Sequence, residues 1–437
     1  MWKKIPIVCF LSLLCLPSHA FGTNYYVSPV GDDANPGTSP GLPWRTLAKV
    51  NAQNFSPGDT VSFLRGSSWT GGLLVRHSGA PGKPVLFTAY GAGERPILRN
   101  PGTWTSSIRI DASYIIVESF LLRDSHEAGI YIPETSHHNI VRDCEFTNAG
   151  AAVVVRGSYN LITRNEVHDM VMVVNDPGGD NDFGANGFLV NGPNNEISYN
   201  RGVNLIAPSL DYGKDGGFVE FYGNADNSYI HHNWAQNADG FFEVGGRPGS
   251  AKNVRISYNV SVNNNGRFGT THTSDQFASD LGNFRVENNT IVDVGDYGIP
   301  SQEAFWFSGT PPPGAFLLRN NIVVLGRFSR VSNAPINRSH NLYHFLDGAT
   351  RIVNSDSSLG LGEIKADPKF VNREMNDFHL QPSSPAIDKG VDLGQAADYD
   401  NRPVPSGTAP DLGAYEYANI AAPAVRPSPP DNLRVVK

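Results

Sequence analysis

Ile197-Ser198-Tyr199-Asn200, Ile230-His231-His232-Asn233 and Ile256-Ser257-Tyr258-Asn259 repeat one short pattern, an aliphatic residue followed three places later by Asn. Seven copies, one of them ending in Asp, occur at Ile140–Asp143, Ile162–Asn165, Ile197–Asn200, Ile230–Asn233, Ile256–Asn259, Val286–Asn289 and Leu318–Asn321. Successive Asn or Asp positions are 22, 35, 33, 26, 30 and 32 residues apart. A period of roughly 20 to 50 residues is typical of stacked repeats, in which no single unit buries its own apolar face.

The units between these corners have the composition of β-strands. Val-Val-Val at 153–155 and Phe-Leu-Val at 188–190 are examples, Gly or Asn follows where the chain turns, and helical periodicity is nearly absent. An Asn at one recurrent corner of stacked strands can form a hydrogen-bonded ladder from coil to coil, which satisfies polar groups at a buried bend. The pattern predicts an all-β fold, a single-stranded right-handed parallel β-helix.

The first twenty residues have the features of a secretory signal peptide. Lys3 and Lys4 supply positive charge, 5–16 is apolar, and Ser18-His19-Ala20 offers a small-residue cleavage site. The apolar stretch is too short to span a bilayer, so we expect a secreted or periplasmic protein with no membrane anchor. Cleavage would leave Cys144 as the single cysteine, which excludes an intrachain disulfide.

The composition and charge of the chain argue against one class of binding partner. Charged residues make up 17% of the chain, the formal net charge is −8, and there are 45 glycines, so a nucleic acid is not an expected partner. We expect a monomer with four segments: the signal peptide at 1–20, an N-terminal cap with the first coils at 21–105, the β-helix with a C-terminal closing segment at 106–417, and a Pro/Ala-rich tail at 418–437.

The N-terminal module contains one candidate helix. Thr46 is a suitable N-cap for a short helix over 47–53, which would close the open end of the solenoid and cover its exposed sheet edge.

Several phrases in the chain resemble a known family. They are Tyr26-Val27-Ser28, Asn35-Pro36-Gly37-Thr38, Trp44-Arg45-Thr46-Leu47 and Pro57-Gly58-Asp59 near the start, and Asp377-Phe378-His379-Leu380, 383–388 and 410–416 near the end. On these motifs the chain resembles secreted bacterial right-handed parallel β-helix proteins that act on polysaccharides, the pectate-lyase-like superfamily. The resemblance implies a polysaccharide partner, but the family includes lyases, glycosidases, epimerases and non-catalytic adhesins, so it does not choose a reaction.

The central coils concentrate both extra length and acidity. Insertions beyond the shortest coil fall at 170–186, 204–216 and 262–282, and such insertions usually carry the binding site of a solenoid. Ten acidic residues lie between 175 and 245, opposed by Arg201 and Lys214 alone. These coils are therefore the predicted location of an active site.

Two strands in this region match residue by residue. Gly217-Phe218-Val219-Glu220-Phe221 aligns with Gly240-Phe241-Phe242-Glu243-Val244, 23 residues later. On neighbouring parallel strands Glu220 and Glu243 would be about 4.8 Å apart, which suits the acid and nucleophile of a retaining glycosidase. We expect Phe218, Tyr222 and Phe241 to flank the pair and to contact sugar, and Asp215 and Asp239 to orient the substrate or a metal.

Further residues are candidates for β-elimination, for Ca²⁺ binding or for contact with the cleft. For β-elimination on a uronate, Lys214 is the candidate base and Tyr212 an alternative proton carrier, and the acidic surroundings would require Ca²⁺. Asp176, Asp180 and Asp182 form a candidate Ca²⁺ loop, and otherwise no cofactor is expected. His272 lies in a long loop that is able to reach the cleft.

Glycoside hydrolysis is the preferred interpretation, because it needs two placed carboxylates and no cation. A polysaccharide lyase is the alternative, and a non-catalytic polysaccharide-binding solenoid or adhesin is a further one. Epimerisation would use the same catalytic groups as a lyase, but the sequence contains no Asp-Pro-His-Asp motif of the kind that epimerases carry. The concentration of insertions and acids in a few coils favours an enzyme over a regular binding array.

Overall fold

The computed structural model describes residues 22–295, 297, 303–326, 329–347 and 350–418. The chain winds into stacked coils, and strands of successive coils pair in parallel. Parallel strands joined by crossovers within one sheet are right-handed in nearly all proteins. The predicted right-handed parallel β-helix is confirmed. No helix in the described ranges is long and apolar enough to cross a bilayer.

One face of the solenoid is a sheet of twelve strands within the described residues. In spatial order they are Asn24–Val27, Thr60–Leu64, Val85–Tyr90, Ile115–Glu118, Ile140–Arg142, Leu161–Thr163, Glu196–Ser198, Tyr229–His231, Arg255–Ser257, Phe284–Glu287, Phe316–Arg319 and Asn337–Ser339.

The remaining faces form one continuous wrapped sheet, because strands such as Glu145–Val155 run through the corner between them. Its strands are Ser68–Thr70, Leu73–Val75, Ile97–Arg99, Ser106–Ile110, Leu121–Ile132, Glu145–Val155, Glu166–His168, Asn186–Val190, Arg201–Ser209, Gly213–Asn224, Trp234–Ala238, Phe242–Lys252, Val260–Val262, Gly269–Thr271, Ser279–Gly282, Thr290–Asp293, Glu303–Phe307, Ile322–Leu325, Arg330–Ser332, Leu342–Phe345, Arg351–Val353 and Ile364–Lys365.

The Asn residues form the predicted ladder inside one corner. Asn233 Oδ1 accepts from the Asn200 backbone N–H at 2.9 Å and from Asn200 Nδ2 at 3.1 Å, and Asn233 Nδ2 donates to the Ile197 carbonyl at 2.8 Å. The same contacts repeat along a buried column at Asn165, Asn200, Asn233, Asn259, Asn289, Asn321 and Asn341. Each side chain thereby satisfies backbone groups that the bend removes from strand pairing.

In the structure the first copy of the repeat is Val141–Cys144, one residue later than the sequence pattern predicts. Ile140 pairs with Leu161 and Val141 with Ile162, so Cys144, not Asp143, occupies the ladder position. The Cys144 N–H donates to Asn165 Oδ1 at 3.0 Å. Asp143 instead faces outward and binds Arg164 at 2.7 Å, because a small thiol fits the buried corner where a carboxylate would be desolvated.

The first and last described segments pack on the solenoid. The capping helix spans Leu47–Asn51, two residues shorter than predicted, and Thr46 Oγ1 accepts from the Lys49 N–H at 3.1 Å. A 3-10 helix at Arg373–Met375 lies between strands Phe370–Asn372 and Asp377–Leu380 of an antiparallel pair. The closing segment packs Phe378, Leu412 and Tyr415 against the outside of the coils. The predicted signal peptide and nearly all of the tail lie outside the described residues.

Candidate active site

Glu220 and Glu243 are paired in register on neighbouring parallel strands, as predicted. Their strands, Gly213–Asn224 and Phe242–Lys252, turn Val219, Phe221, Phe242 and Val244 into the core, where none is more than 2% exposed. Since side chains alternate along a strand, both glutamates face outward. They lie on the floor of a cavity of about 1060 Å³.

The floor is a column of outward-facing side chains, one from each coil. Going along the solenoid axis, register partners are Tyr131, Val154, Leu189, Glu220, Glu243, Thr270 and Trp306. Neighbouring strands are about 4.8 Å apart, so the carboxylate pair lies between an apolar stretch on one side and Thr270 and Trp306 on the other.

One wall of the groove is built by the chain that precedes the floor strands. Insertion 204–216 forms an antiparallel hairpin in which Ile206 pairs with Gly216. Insertion 170–186 contains the antiparallel strands Met172–Val174 and Phe183–Gly184. Asp182 ties the two together, because its carboxylate accepts from Ser209 Oγ at 2.6 Å and from the Leu210 N–H at 2.8 Å.

The opposite wall follows the floor strands and carries His272. His272 Nε2 is 3.3 Å from Glu243 Oε1, and its Nδ1 is 2.6 Å from Asp275 Oδ2. The next strand braces this loop, because Ser308 Oγ accepts from the Thr273 N–H at 2.9 Å. His272 therefore joins Glu243 to Asp275 across one corner of the groove.

The acidic side chains on the floor have raised pKa values. Burial, followed by the charges of Glu243 and Asp215, raises the pKa of Glu220 well above its usual 4.5. Burial together with Glu243 and Asp239 raises the pKa of Asp215 to about 7. Burial also raises the pKa of Asp239 to about 6, although its hydrogen bond with Asn265 opposes the shift. Glu220 is therefore protonated at pH values where an exposed glutamate is ionised.

His272 has the opposite charge preference. Burial acts to lower its pKa, but the hydrogen bonds with Glu243 and Asp275 outweigh burial and raise the pKa above 6.5. The two glutamates thus differ in their surroundings, since both have acidic neighbours but His272 contacts Glu243.

Lys214 and Tyr212 also reach the groove. Lys214 Nζ donates to Asn265 Oδ1 at 3.2 Å, and Asn265 Nδ2 donates to Asp239. Tyr212 is 48% exposed, and burial and Asp180 raise its pKa. A raised pKa disfavours the phenolate, so Tyr212 is a poor candidate for a proton-abstracting base near neutral pH.

Two predicted sugar contacts are corrected by the structure. Phe218 and Phe241 are both fully buried, and Phe241 stacks on Phe268 with ring centroids 4.8 Å apart. Each follows a glycine of positive φ, Gly217 at 145° and Gly240 at 92°. The chain turns its corner there, so strand alternation does not extend to the phenylalanines. Tyr222, the third aromatic residue predicted to flank the pair, does line the cavity.

The acidic loop at 176–182 has a structural role. Asp182 accepts hydrogen bonds from neighbouring backbone, and Asp180 Oδ2 accepts from Gln276 Nε2 at 2.9 Å. Within the described residues, no three His, Cys, Asp or Glu side chains are placed to hold a metal ion. The predicted Ca²⁺ ligands Asp176, Asp180 and Asp182 therefore do not converge in this structure.

Sequence reasoning missed Trp104 and Arg267, which the fold brings to the groove. Trp104 is 56% exposed and lies at one end of the groove, where its ring centroid is 5.8 Å from that of Phe183. At the other end, the Arg267 guanidinium lies over the Trp306 ring, 5.5 Å from the ring centroid. Their positions depend on loops of different coils, so no local motif links them.

Sequence comparison finds relatives among carbohydrate-active proteins, although no family model matches. Pectate lyase L of Dickeya chrysanthemi is 23% identical over 414 residues, 90% of each chain. A lacto-N-biosidase of Bifidobacterium longum subsp. longum is 32% identical over 141 residues, which are 26% of this chain and 9% of that protein.

Structure comparison agrees on the fold. Pectate lyase Pel9A superposes with a TM-score of 0.60 at 20% identity, covering 91% of this chain and 98% of that one. Parallel β-helix proteins that act on polysaccharides are thus similar to this chain in both sequence and fold, as the sequence motifs predicted.

Proposed function

We propose that the protein is a secreted enzyme that hydrolyses glycosidic bonds of a polysaccharide, with Glu220 as the acid and Glu243 as the nucleophile. The observation that carries the proposal is the in-register pair of glutamates, of which Glu220 has a raised pKa and Glu243 contacts His272. Glycosidases divide two carboxylates between these roles by environment.

The spacing of the pair favours retention of configuration. Retaining enzymes hold their carboxyl groups about 5 to 5.5 Å apart, whereas inverting enzymes need roughly 6.5 to 9.5 Å for an intervening water. Register partners on parallel strands have a spacing of about 4.8 Å. The backbone spacing of Glu220 and Glu243 thus matches the retaining arrangement, and a covalent intermediate on Glu243 is the route that we propose.

Cleavage proceeds in two steps. The Glu220 carboxyl gives its proton to the glycosidic oxygen while a Glu243 oxygen bonds to the anomeric carbon, and the carbon–oxygen bond to the leaving sugar breaks. Glu220, now a carboxylate, then takes a proton from water, whose oxygen displaces Glu243 from the anomeric carbon. His272 stabilises the charge on Glu243 at the start and end of this cycle.

The groove suits a carbohydrate chain. Trp104 and Trp306 line its two ends, and aromatic rings pack against the apolar sides of sugar rings. Polar side chains such as Asn191, Asn265 and Thr270 lie between them. This arrangement of aromatic surfaces and hydrogen-bonding groups is typical of orientation-specific binding sites.

β-Elimination on a uronate polymer is the second candidate. It is favoured by the full-length similarity to pectate lyase L and by the location of Lys214 in the groove. Lys214 would remove the proton next to the uronate carboxylate. The acidic floor opposes an anionic substrate unless a cation is bound, so hydrolysis remains the preferred function.

A digest of neutral and uronate-rich polysaccharides, with and without a calcium chelator, separates the two. Reducing ends and the ultraviolet absorbance of unsaturated sugars are followed together. Hydrolysis predicts reducing ends without that absorbance and no effect of the chelator. A parallel rise of both signals would overturn hydrolysis in favour of β-elimination, and would make Lys214 the first residue to replace.

A further inference from the structure

Two loops from opposite walls of the groove are joined by a side-chain hydrogen bond. Asp180, in the loop that precedes strand Asn186–Val190, accepts from Gln276, in the loop that follows strand Gly269–Thr271, at 2.9 Å. Both loops line the cavity that contains Glu220 and Glu243. The bond therefore connects the walls above the floor.

The position of this bond along the axis follows from strand order. Strands Asn186–Val190 and Gly269–Thr271 are separated by two coils, and those are the coils that carry Glu220 and Glu243. Three strand spacings amount to roughly 14 Å along the axis. A bond between loops that begin so far apart, on opposite flanks, has to cross the groove diagonally over the carboxylate pair.

Both halves of the bridge are held in place. On one side, Asp211 accepts from the Asn181 N–H at 3.0 Å, and Tyr212 hydrogen-bonds to Asp180. On the other, Ser308 Oγ accepts from the Ser274 N–H at 3.2 Å. These contacts tie each loop to its own wall, so the bridge is a braced roof.

We infer that the Asp180–Gln276 bridge makes the proposed enzyme cut near chain ends, because a polysaccharide has to thread beneath it to reach Glu220 and Glu243. An open groove accepts the middle of a polymer from the side, whereas a roofed one admits a free end. The inference rests on the proposed carbohydrate cleavage, and names Asp180 and Gln276 as the residues that determine where cleavage occurs.

The functional test compares the intact protein with Asp180→Ala and Gln276→Ala on polygalacturonate, xylan and a β-glucan. Loss of viscosity is plotted against the number of bonds cut. The intact protein should release short products while viscosity falls slowly, and both variants should lose several times more viscosity per bond. Asp280→Ala is the control. Asp280 lies close in sequence to the loop that carries Gln276, but its exposed carboxylate bonds to Lys252 outside the groove.

The bridge itself is tested by hydrogen exchange, which requires no activity. Loss of one hydrogen bond should speed exchange about five-fold. Asp180→Ala should speed amide exchange in residues 272–278, and Gln276→Ala should speed it in residues 176–182. Asp280→Ala should leave the exchange rate of residues 176–182 unchanged.

The possible failures are distinguishable. If no polymer is cut, the proposed function is wrong, and hydrogen exchange still decides whether the roof exists. If exchange in the opposite loop does not change, the roof is overturned. If the intact protein and both variants lose the same viscosity per bond, the bridge does not determine where the chain is cut.

Discussion

The Glu243 carboxylate and the His272 imidazole lie 3.3 Å apart on neighbouring coils, and Asp275 holds the other ring nitrogen at 2.6 Å. This arrangement gives Glu243 an imidazole neighbour in a groove where most of the Asp, Glu, Lys and Arg side chains are acidic. It distinguishes Glu243 from Glu220, which is otherwise its equivalent on the next strand.

The first prediction concerns the charge of His272. Its pKa is raised by Glu243 and Asp275 against the effect of burial, so Glu243→Gln and Asp275→Asn should each lower it. NMR titration of the imidazole measures this directly. Asp280→Asn, which removes an exposed carboxylate outside the groove, should leave the His272 pKa unchanged. An unaltered pKa in both test variants would show that these carboxylates do not set the charge of His272.

The second prediction separates the roles of the two glutamates. Glu220→Gln and Glu243→Gln should each reduce kcat on the natural polymer by about 10² to 10⁴. An aryl glycoside, whose leaving group needs no proton, should restore activity to Glu220→Gln and not to Glu243→Gln. The converse pattern would exchange the assigned roles, and rescue of neither variant would argue against an acid–nucleophile pair.

The third prediction concerns stability against pH. Burial raises the folded-state pKa of Asp215 to about 7 from 3.8, so the folded state keeps this proton over a range where the unfolded chain loses it. Asp215 therefore contributes stability that is fully present below pH 3.8 and is lost as the pH rises to about 7, at up to about 1.4 kcal/mol per pH unit.

Asp215→Asn tests this by removing the titration. Urea unfolding at several pH values should show a smaller fall in the free energy of unfolding between about pH 4 and 7 than the parent shows. Above pH 7 the two slopes should agree. Equal slopes throughout would mean that Asp215 titrates normally in the folded protein.

The fourth prediction concerns the Asn ladder. Asn233 is fully buried and bonds to the coils on both sides. Asn233→Ala leaves two buried backbone groups, the Asn200 N–H and the Ile197 carbonyl, without these partners and should cost about 3 kcal/mol or more. Asn237→Gly is the control, because Asn237 forms an exposed contact and its φ of 55° suits glycine. Denaturant unfolding compares the two, and similar losses would mean that the ladder adds no particular stability.

Much of the fold follows from the sequence because a parallel solenoid is built from local rules. The spacing of the Asn residues sets the coil, alternation sets which side chains face inward, and equal register then puts Glu220 beside Glu243. At Cys144 these rules gave the wrong register. The aliphatic residues Ile140 and Val141 are adjacent there, and no Asn marks the corner.

The corners and loops depended on tertiary structure. Phe218 and Phe241 turn inward because the chain bends at the preceding glycines, and strand alternation does not apply at a bend. The approach of His272 to Glu243, and of Gln276 to Asp180, depends on how insertions from different coils fold back over the groove.

The sequence by itself determined the repeat, the strand chemistry and the carboxylate pair, because these follow from periodicity along one chain. Tertiary structure alone decided the electrostatic difference between Glu220 and Glu243 and the closure of the groove. Both arise from contacts between segments far apart in sequence, and their geometry is set by packing rather than by any local pattern.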